Sequence, residues 1–141
     1  MTPLFSLPLT VSPAAIDEND HVNNVVYVQW MQDAASAHAD QAGYGVAHCL
    51  ELGGTWVVRC HNIEYLTAAR LGDRLRLDTW IGNIGRCDCQ RRYRFVREAD
   101  GRILARASSH YVYIGNDSLR PQALPAALLE KMAVLVEGAS G

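Results

Sequence analysis

A single long helix in a chain that otherwise alternates like strand limits the folds open to this sequence more than any other feature. From Asn23 or Asn24 to Ala42 the residues support about five helical turns. Tyr27, Trp30, Met31, Ala34 and His38 recur at helical spacing on one face, and Gly43 supplies the stop. Either asparagine can cap the first turn by accepting from backbone N–H groups that lack helical partners. Alanines at 34, 35, 37, 39 and 42 favour the helix and keep it slim, so a sheet can approach it closely.

The strands follow from period-two patterning. Phe5, Leu7, Leu9 and Val11 alternate with polar residues or proline, and Pro8, which has no N–H to give, places this strand at an edge or beside a bulge. Ser12-Pro13 ends it. After a glycine-rich connection over 43–54, expected to be mobile or partly helical, strands are predicted over 55–65, 75–84, 87–97 and 103–114. Turn signals stand at Gly72-Asp73 and at Ala99-Asp100-Gly101-Arg102. A short amphipathic segment over 126–136 closes the chain. One apolar helix beside an antiparallel sheet with a face to cover predicts an α+β fold in which the sheet curls around the helix. Its free edges invite a second copy, which predicts a homodimer.

Length and charge remove several classes of function. At 141 residues, 49% of them hydrophobic, the chain suits one domain over residues 1–141. A net charge of −2 argues against nucleic-acid binding as the main role. No apolar run reaches the roughly 18 residues of a membrane span, and the N-terminus does not read as a signal peptide. These point to a cytoplasmic protein without membrane partners. Cys49, Cys60, Cys87 and Cys89 lack paired zinc spacing and read as free thiols, and the histidines show no metal-ligand spacing, so no metal is expected.

The run Asp17-Glu18-Asn19-Asp20-His21-Val22-Asn23-Asn24-Val25-Val26-Tyr27 resembles the signature of hotdog-fold acyl thioesterases. In that family an acidic residue stands four positions before a His-Val-Asn-Asn-x-x-Tyr block that opens the central helix. The chain is most similar to the branch of 4-hydroxybenzoyl-CoA and bacterial short-chain acyl-CoA thioesterases. The resemblance continues through Glu64-Tyr65, Ala69 to Asp73, Gly85-Arg86 and the Arg120-Pro121 to Leu124-Pro125 ending. It implies a sheet of about five strands around one central helix, a homodimer or a dimer of dimers (a homotetramer), and hydrolysis of an acyl-CoA thioester. Coenzyme A would then be part of the substrate, and no separate cofactor is implied.

The resemblance also implies a site. The matching carboxylate does the chemistry in the family, which assigns Asp17 the role of nucleophile or general base. A backbone amide near Asn24, at the positive end of the helix, would stabilise the oxyanion. His21 either orients the loop by hydrogen bonding or moves a proton. Residues matching Asn19 and His21 contribute to catalysis in plant acyl-acyl-carrier-protein thioesterases, although the acid and cysteine those enzymes carry before Gly85 are replaced here by Asn83-Ile84. The bacterial branch usually has glycine before the histidine, where this chain has Asp20.

Other residues are candidates for holding substrate. Tyr27 is expected in the core or against the acyl group. Arg59, Arg70 and Arg86 are candidates for the phosphates of coenzyme A, with Arg86 favoured because Gly85 precedes it. Arg91, Arg92 and Arg94 suit either the same role or a solvated strand face. Asp33, within the helix, is a competing acid, and Cys87 and Cys89 are expected to be structural. The alternatives to an acyl-CoA hydrolase are a thioesterase acting on an acyl-carrier protein and a non-catalytic acyl-CoA-binding module in which Asp17 only caps the turn.

Overall fold

The computed structural model describes residues 4–137. Strand β1 (Phe5–Thr10) is followed by a single 3-10 turn at Pro13–Ala15, the long helix α1 (Asn24–Ala42) and a short helix α2 (Val46–Glu51). Strands β2 (Gly54–Tyr65), β3 (Arg74–Ile84), β4 (Asp88–Arg97) and β5 (Ile103–Gly115) follow, and helix α3 (Ala126–Ala133) comes last. The five strands form one antiparallel sheet in the order β1-β3-β4-β5-β2. Pro8 does lie in an edge strand, where its missing N–H interrupts no central ladder. The glycine-rich connection is partly helical because α2 forms inside it.

Helix α1 is 19 residues long and covers one face of the sheet. Its start is fixed by Asn23, whose side chain accepts from the Val25 N–H, and its end by Gly43, which enters the left-handed region at φ 81°. Tyr27, Met31 and Ala34 pack with Leu75, Leu77, Phe95 and Leu104 into the main core. Met31 is fully buried, so truncating it to alanine would cost about 2–5 kcal/mol. One long helix against a five-stranded antiparallel sheet is the α+β arrangement that the helix and strand pattern predicted, and the hotdog fold that the resemblance implied.

A second core lies toward the far end of α1, where Tyr44, Cys49, Ile81, Tyr113, Leu128 and Met132 bring α2 and α3 onto the sheet. Gly54 is required there: a Cβ on it would stand 2.4 Å from the Tyr113 ring.

Two charged strand residues, Asp78 and Arg91, are buried. Asp78 lies on the face of β3 opposite α1, yet it is only 1% exposed, because Arg76 and Arg94 fold over it and Ser6 on β1 donates to it. Arg94 also stacks over Trp80, 5.5 Å from the ring centroid. The run Arg91, Arg92, Arg94 is not one solvated face. Arg91 shares the helix side with Cys89, Tyr93 and Phe95 and is 4% exposed, while Arg92 and Arg94 point the other way and are half-buried. Strict alternation within β4 is the physical reason.

Candidate active-site cleft at the start of the long helix

The loop before α1 is a closed turn. Ile16 and Val22 pair as an antiparallel bridge, and the Asp17 N–H donates to the His21 carbonyl at 2.9 Å. Inside the turn, Asp17 Oδ1 accepts from the Asn19 N–H at 2.9 Å and from the His21 N–H at 3.3 Å. Asp20 sits at φ 59°, in the left-handed region. Aspartate tolerates that region better than most residues, but glycine takes it without cost. The left-handed backbone is the conformation that suits the glycine the resemblance implied at this position.

Two further bonds seat the loop on the fold. The Val22 N–H donates to the Ala69 carbonyl at 3.2 Å, and the Asn23 N–H to the Ala15 carbonyl at 2.8 Å. Asn23 is therefore the cap, and Asn24 is the first residue of the helix. Among the described residues, the Asn24 N–H has no acceptor, as expected for the first donors of a helix.

Asp17, Asn19, His21, Asn24 and Tyr27 all line one cleft of about 390 Å³, closed on its other side by Tyr65 and the segment leading to Ala69. The structure thus brings five of the eight predicted site residues together. Asp17 is half-buried and Oδ1 is engaged by the loop, so Oδ2 is the oxygen left without a backbone partner. The His21 ring makes no hydrogen bond to another described residue; its contribution to the turn comes from its backbone N–H and C=O. Tyr27 belongs both to the core and to the cleft. It packs edge-on against Trp30, Tyr65 and Phe95. Burial, reinforced by Tyr65 and Asp73, pushes its hydroxyl up to about 12, so it stays a neutral donor.

The three arginines fall elsewhere. Arg70 follows Ala69 at the cleft margin, exposed, in a turn closed by its N–H to Asp73 Oδ2 at 3.0 Å. Arg59 is exposed on β2, where the register with β5 shifts. Arg86 lies beyond the far end of β3, an eleven-residue strand spanning roughly 35 Å, so it does not reach the Asp17 cleft of its own chain. Asp33 is exposed and accepts from Gln29 Nε2 at 2.9 Å, and it does not line the cleft. Cys89 is buried, and burial raises its thiol to about 12, which keeps it protonated and inert.

Tyr65, with Val22 and the 66–69 segment, lines the cleft without having been assigned a role from the sequence. The signal for Tyr65 was its place at the end of a strand, directly before the connection to the next. No described group of three or more His, Cys, Asp or Glu residues is placed to hold a metal ion. No helix among the described residues is long and apolar enough to cross a membrane.

The fold is shared with known proteins. A 1,4-dihydroxy-2-naphthoyl-CoA thioesterase from Synechocystis is similar in structure with a TM-score of 0.83 at 19% identity, over 94% of this chain and 97% of that one. A probable thioesterase from Escherichia coli matches with a TM-score of 0.80 at 22% identity, over 94% and 98%. A Staphylococcus aureus protein solved in complex with CoA matches with a TM-score of 0.86 at 21% identity, over 94% and 84%. An acyl-ACP thioesterase from Bacteroides thetaiotaomicron matches with a TM-score of 0.82 at 24% identity, over 87% of this chain and 50% of that longer one. At these identities the likeness is one of fold. No curated protein sequence matches the chain. The model of the thioesterase-like superfamily, however, matches residues 11–132. With most of its length covered by that model, the chain belongs to the thioesterase-like superfamily.

Proposed function

We propose that the chain hydrolyses acyl-CoA thioesters to a carboxylic acid and free coenzyme A in the cleft at the start of α1. The observation that carries this reading is the meeting in one cleft of Asp17 and of Asn24, whose N–H has no acceptor among the described residues. Asp17 either takes a proton from water, whose oxygen then attacks the thioester carbon, or attacks that carbon itself to give an anhydride that water opens. In both cases the carbonyl oxygen gains charge opposite the Asn24 amide, the C–S bond breaks and the thiolate leaves to be protonated. His21 and Asn19 hold the turn through their backbone N–H groups. The reaction as proposed uses water and needs no separate cofactor.

A homodimer completes the reading. Strand β2 is twelve residues long and lies at a sheet edge, with Val57, Val58 and Tyr65 between 37% and 46% exposed. Such an edge is a template for another strand. Antiparallel pairing of two copies along β2 would invert the partner. Because Asp88 is level with Val57 through β5, the partner subunit's Arg86 would come to the end of the joint sheet where this chain's cleft opens. Arg70 at the cleft margin and the partner subunit's Arg86 and Arg59 then supply cations for the phosphates of coenzyme A.

The test is steady-state thiol release from short-chain, long-chain and aromatic acyl-CoA esters, run beside the same acyl groups on an acyl-carrier protein. Saturable turnover of at least one CoA ester supports the proposal. Turnover of carrier-protein esters alone, or binding without turnover, would replace it by the carrier-protein thioesterase or the binding module.

A further inference from the structure

A second cavity, of about 300 Å³, lies between the C-terminal half of α1, α2 and the sheet. Trp56, Tyr111, Met132, Ala35 and Ala39 give it a largely apolar wall. Into this wall is set the guanidinium of Arg91, on a side chain 4% exposed. Arg91 Nη1 donates to His38 Nδ1 at 2.9 Å and to Thr79 Oγ1 at 3.1 Å, and Nη2 donates to the Tyr44 hydroxyl.

None of these partners carries a compensating negative charge. Burial, with Arg91 beside it, holds His38 near 4, so its ring is neutral and accepts at Nδ1. Burial keeps the Tyr44 hydroxyl above its ordinary value, although Arg91 pulls it down, so it is not a phenolate. The one acid among the residues lining the cavity is Asp40, which is exposed and makes no ion pair with Arg91. A full positive charge therefore stands in the interior without a described counter-charge, an arrangement proteins rarely keep unless something supplies the opposite sign. Of its five N–H donors, Nε–H and one on Nη2 are unused among the described residues, the pair that suits a planar carboxylate.

We propose that this cavity is a binding site for an organic carboxylate with an apolar body, such as a short aliphatic or a single-ring aromatic acid, its carboxylate on Arg91 and its body against Trp56, Tyr111 and Met132. The volume falls at the small end of ligand pockets. The site stands on Arg91 and its cavity alone and does not depend on what Asp17 does.

Binding is measured by titration calorimetry at neutral pH with benzoate and hexanoate as probes, and with benzamide and hexanamide as neutral matches. Saturable binding of a carboxylate, with the amide at least about tenfold weaker, is the expected result. Arg91→Met should weaken the carboxylate by tenfold or more. Ala39→Leu, which fills the cavity and keeps Arg91, should do the same and decides the matter if Arg91→Met does not fold. Arg92→Met, on the opposite face of the sheet, should bind like the wild type. Equal binding of acid and amide, undiminished binding in Ala39→Leu or in folded Arg91→Met, or no binding up to about 10 mM would overturn the proposal and leave Arg91 a clamp between α1 and the sheet. The source of the carboxylate follows from thiol-release assays with hexanoyl-CoA. Competitive inhibition by hexanoate that is lost in Arg91→Met identifies the site as one that holds the carboxylic acid product; binding without such inhibition identifies a separate ligand.

Discussion

Replacing Asp78 by asparagine isolates the charge buried on the outer face of the sheet. Its two oxygens accept from Ser6 Oγ at 2.7 Å, from Arg76 Nε and Nη2 at 2.9 and 3.3 Å, and from Arg94 Nε and Nη2 at 3.2 and 2.8 Å. Asparagine keeps the shape and one acceptor, but it removes the charge and turns an NH₂ toward a guanidinium. Removing one partner of a buried ion pair costs about 3–5 kcal/mol when the other stays buried. Here the Arg76 and Arg94 side chains are 41% and 35% exposed and can take up water, which lowers the expected loss to about 2 kcal/mol.

The pH dependence has a definite sign. Burial pushes the Asp78 carboxyl up, but the bonds from Arg76, Arg94 and Ser6 outweigh it and hold the group below its ordinary 3.8. A carboxyl depressed on folding contributes stability above its unfolded value, and that stability is lost as pH falls through the lower folded value. Urea unfolding of wild type and Asp78→Asn should therefore differ by about 2 kcal/mol at neutral pH, and by less as pH drops below 3.8. A difference under about 0.5 kcal/mol at neutral pH, the level of an ordinary surface change, would refute the reasoning. So would a gap that stays constant into acid.

Three more outcomes follow from particular residues. Asp20→Gly relieves a left-handed backbone at φ 59° and should raise unfolding stability by about 0.5–1 kcal/mol, read by the same denaturation. His38 is held near 4 against 6.5 when unfolded, so the unfolded chain binds the extra proton between those values. Stability should fall by up to about 3 kcal/mol as pH drops through that window, and His38→Gln should flatten that part of the profile. Val58→Lys places a charge on the free edge of β2 and should convert a species of about twice 15.6 kDa to the monomer in sedimentation velocity.

The elements were legible because each carries its own period. The alternation of Leu75, Leu77, Thr79 and Ile81 marks a strand, the spacing of Tyr27, Met31, Ala34 and His38 marks a helix, and Gly43 marks its end. The loop from Asp17 to Asn24 was legible as a unit because its cap and its turn are local. Strand order was legible at one edge alone, where Pro8 marks β1; nothing in Trp56 says that β2 forms the other edge. The burial of Asp78 was not legible, because the arginines that cover it lie on another strand or two positions away on its own face. Arg91 was obscured in a different way. The alternation that buries it with Cys89 and Tyr93 is present in the sequence, but three arginines within four residues read as a charged surface. Arg86 followed a persuasive glycine, and only the length of β3 places it at the opposite end from Asp17.

The most direct measurement is the kcat for thiol release by wild type and Asp17→Asn on the same acyl-CoA ester, with both proteins folded. Asparagine keeps Oδ1 for the Asn19 and His21 N–H groups, so the turn survives and the chemical role alone is removed. The account predicts a fall in kcat of a hundredfold or more, about 2.7 kcal/mol of barrier, with KM little changed. A folded Asp17→Asn that hydrolyses the ester at the wild-type rate would contradict it.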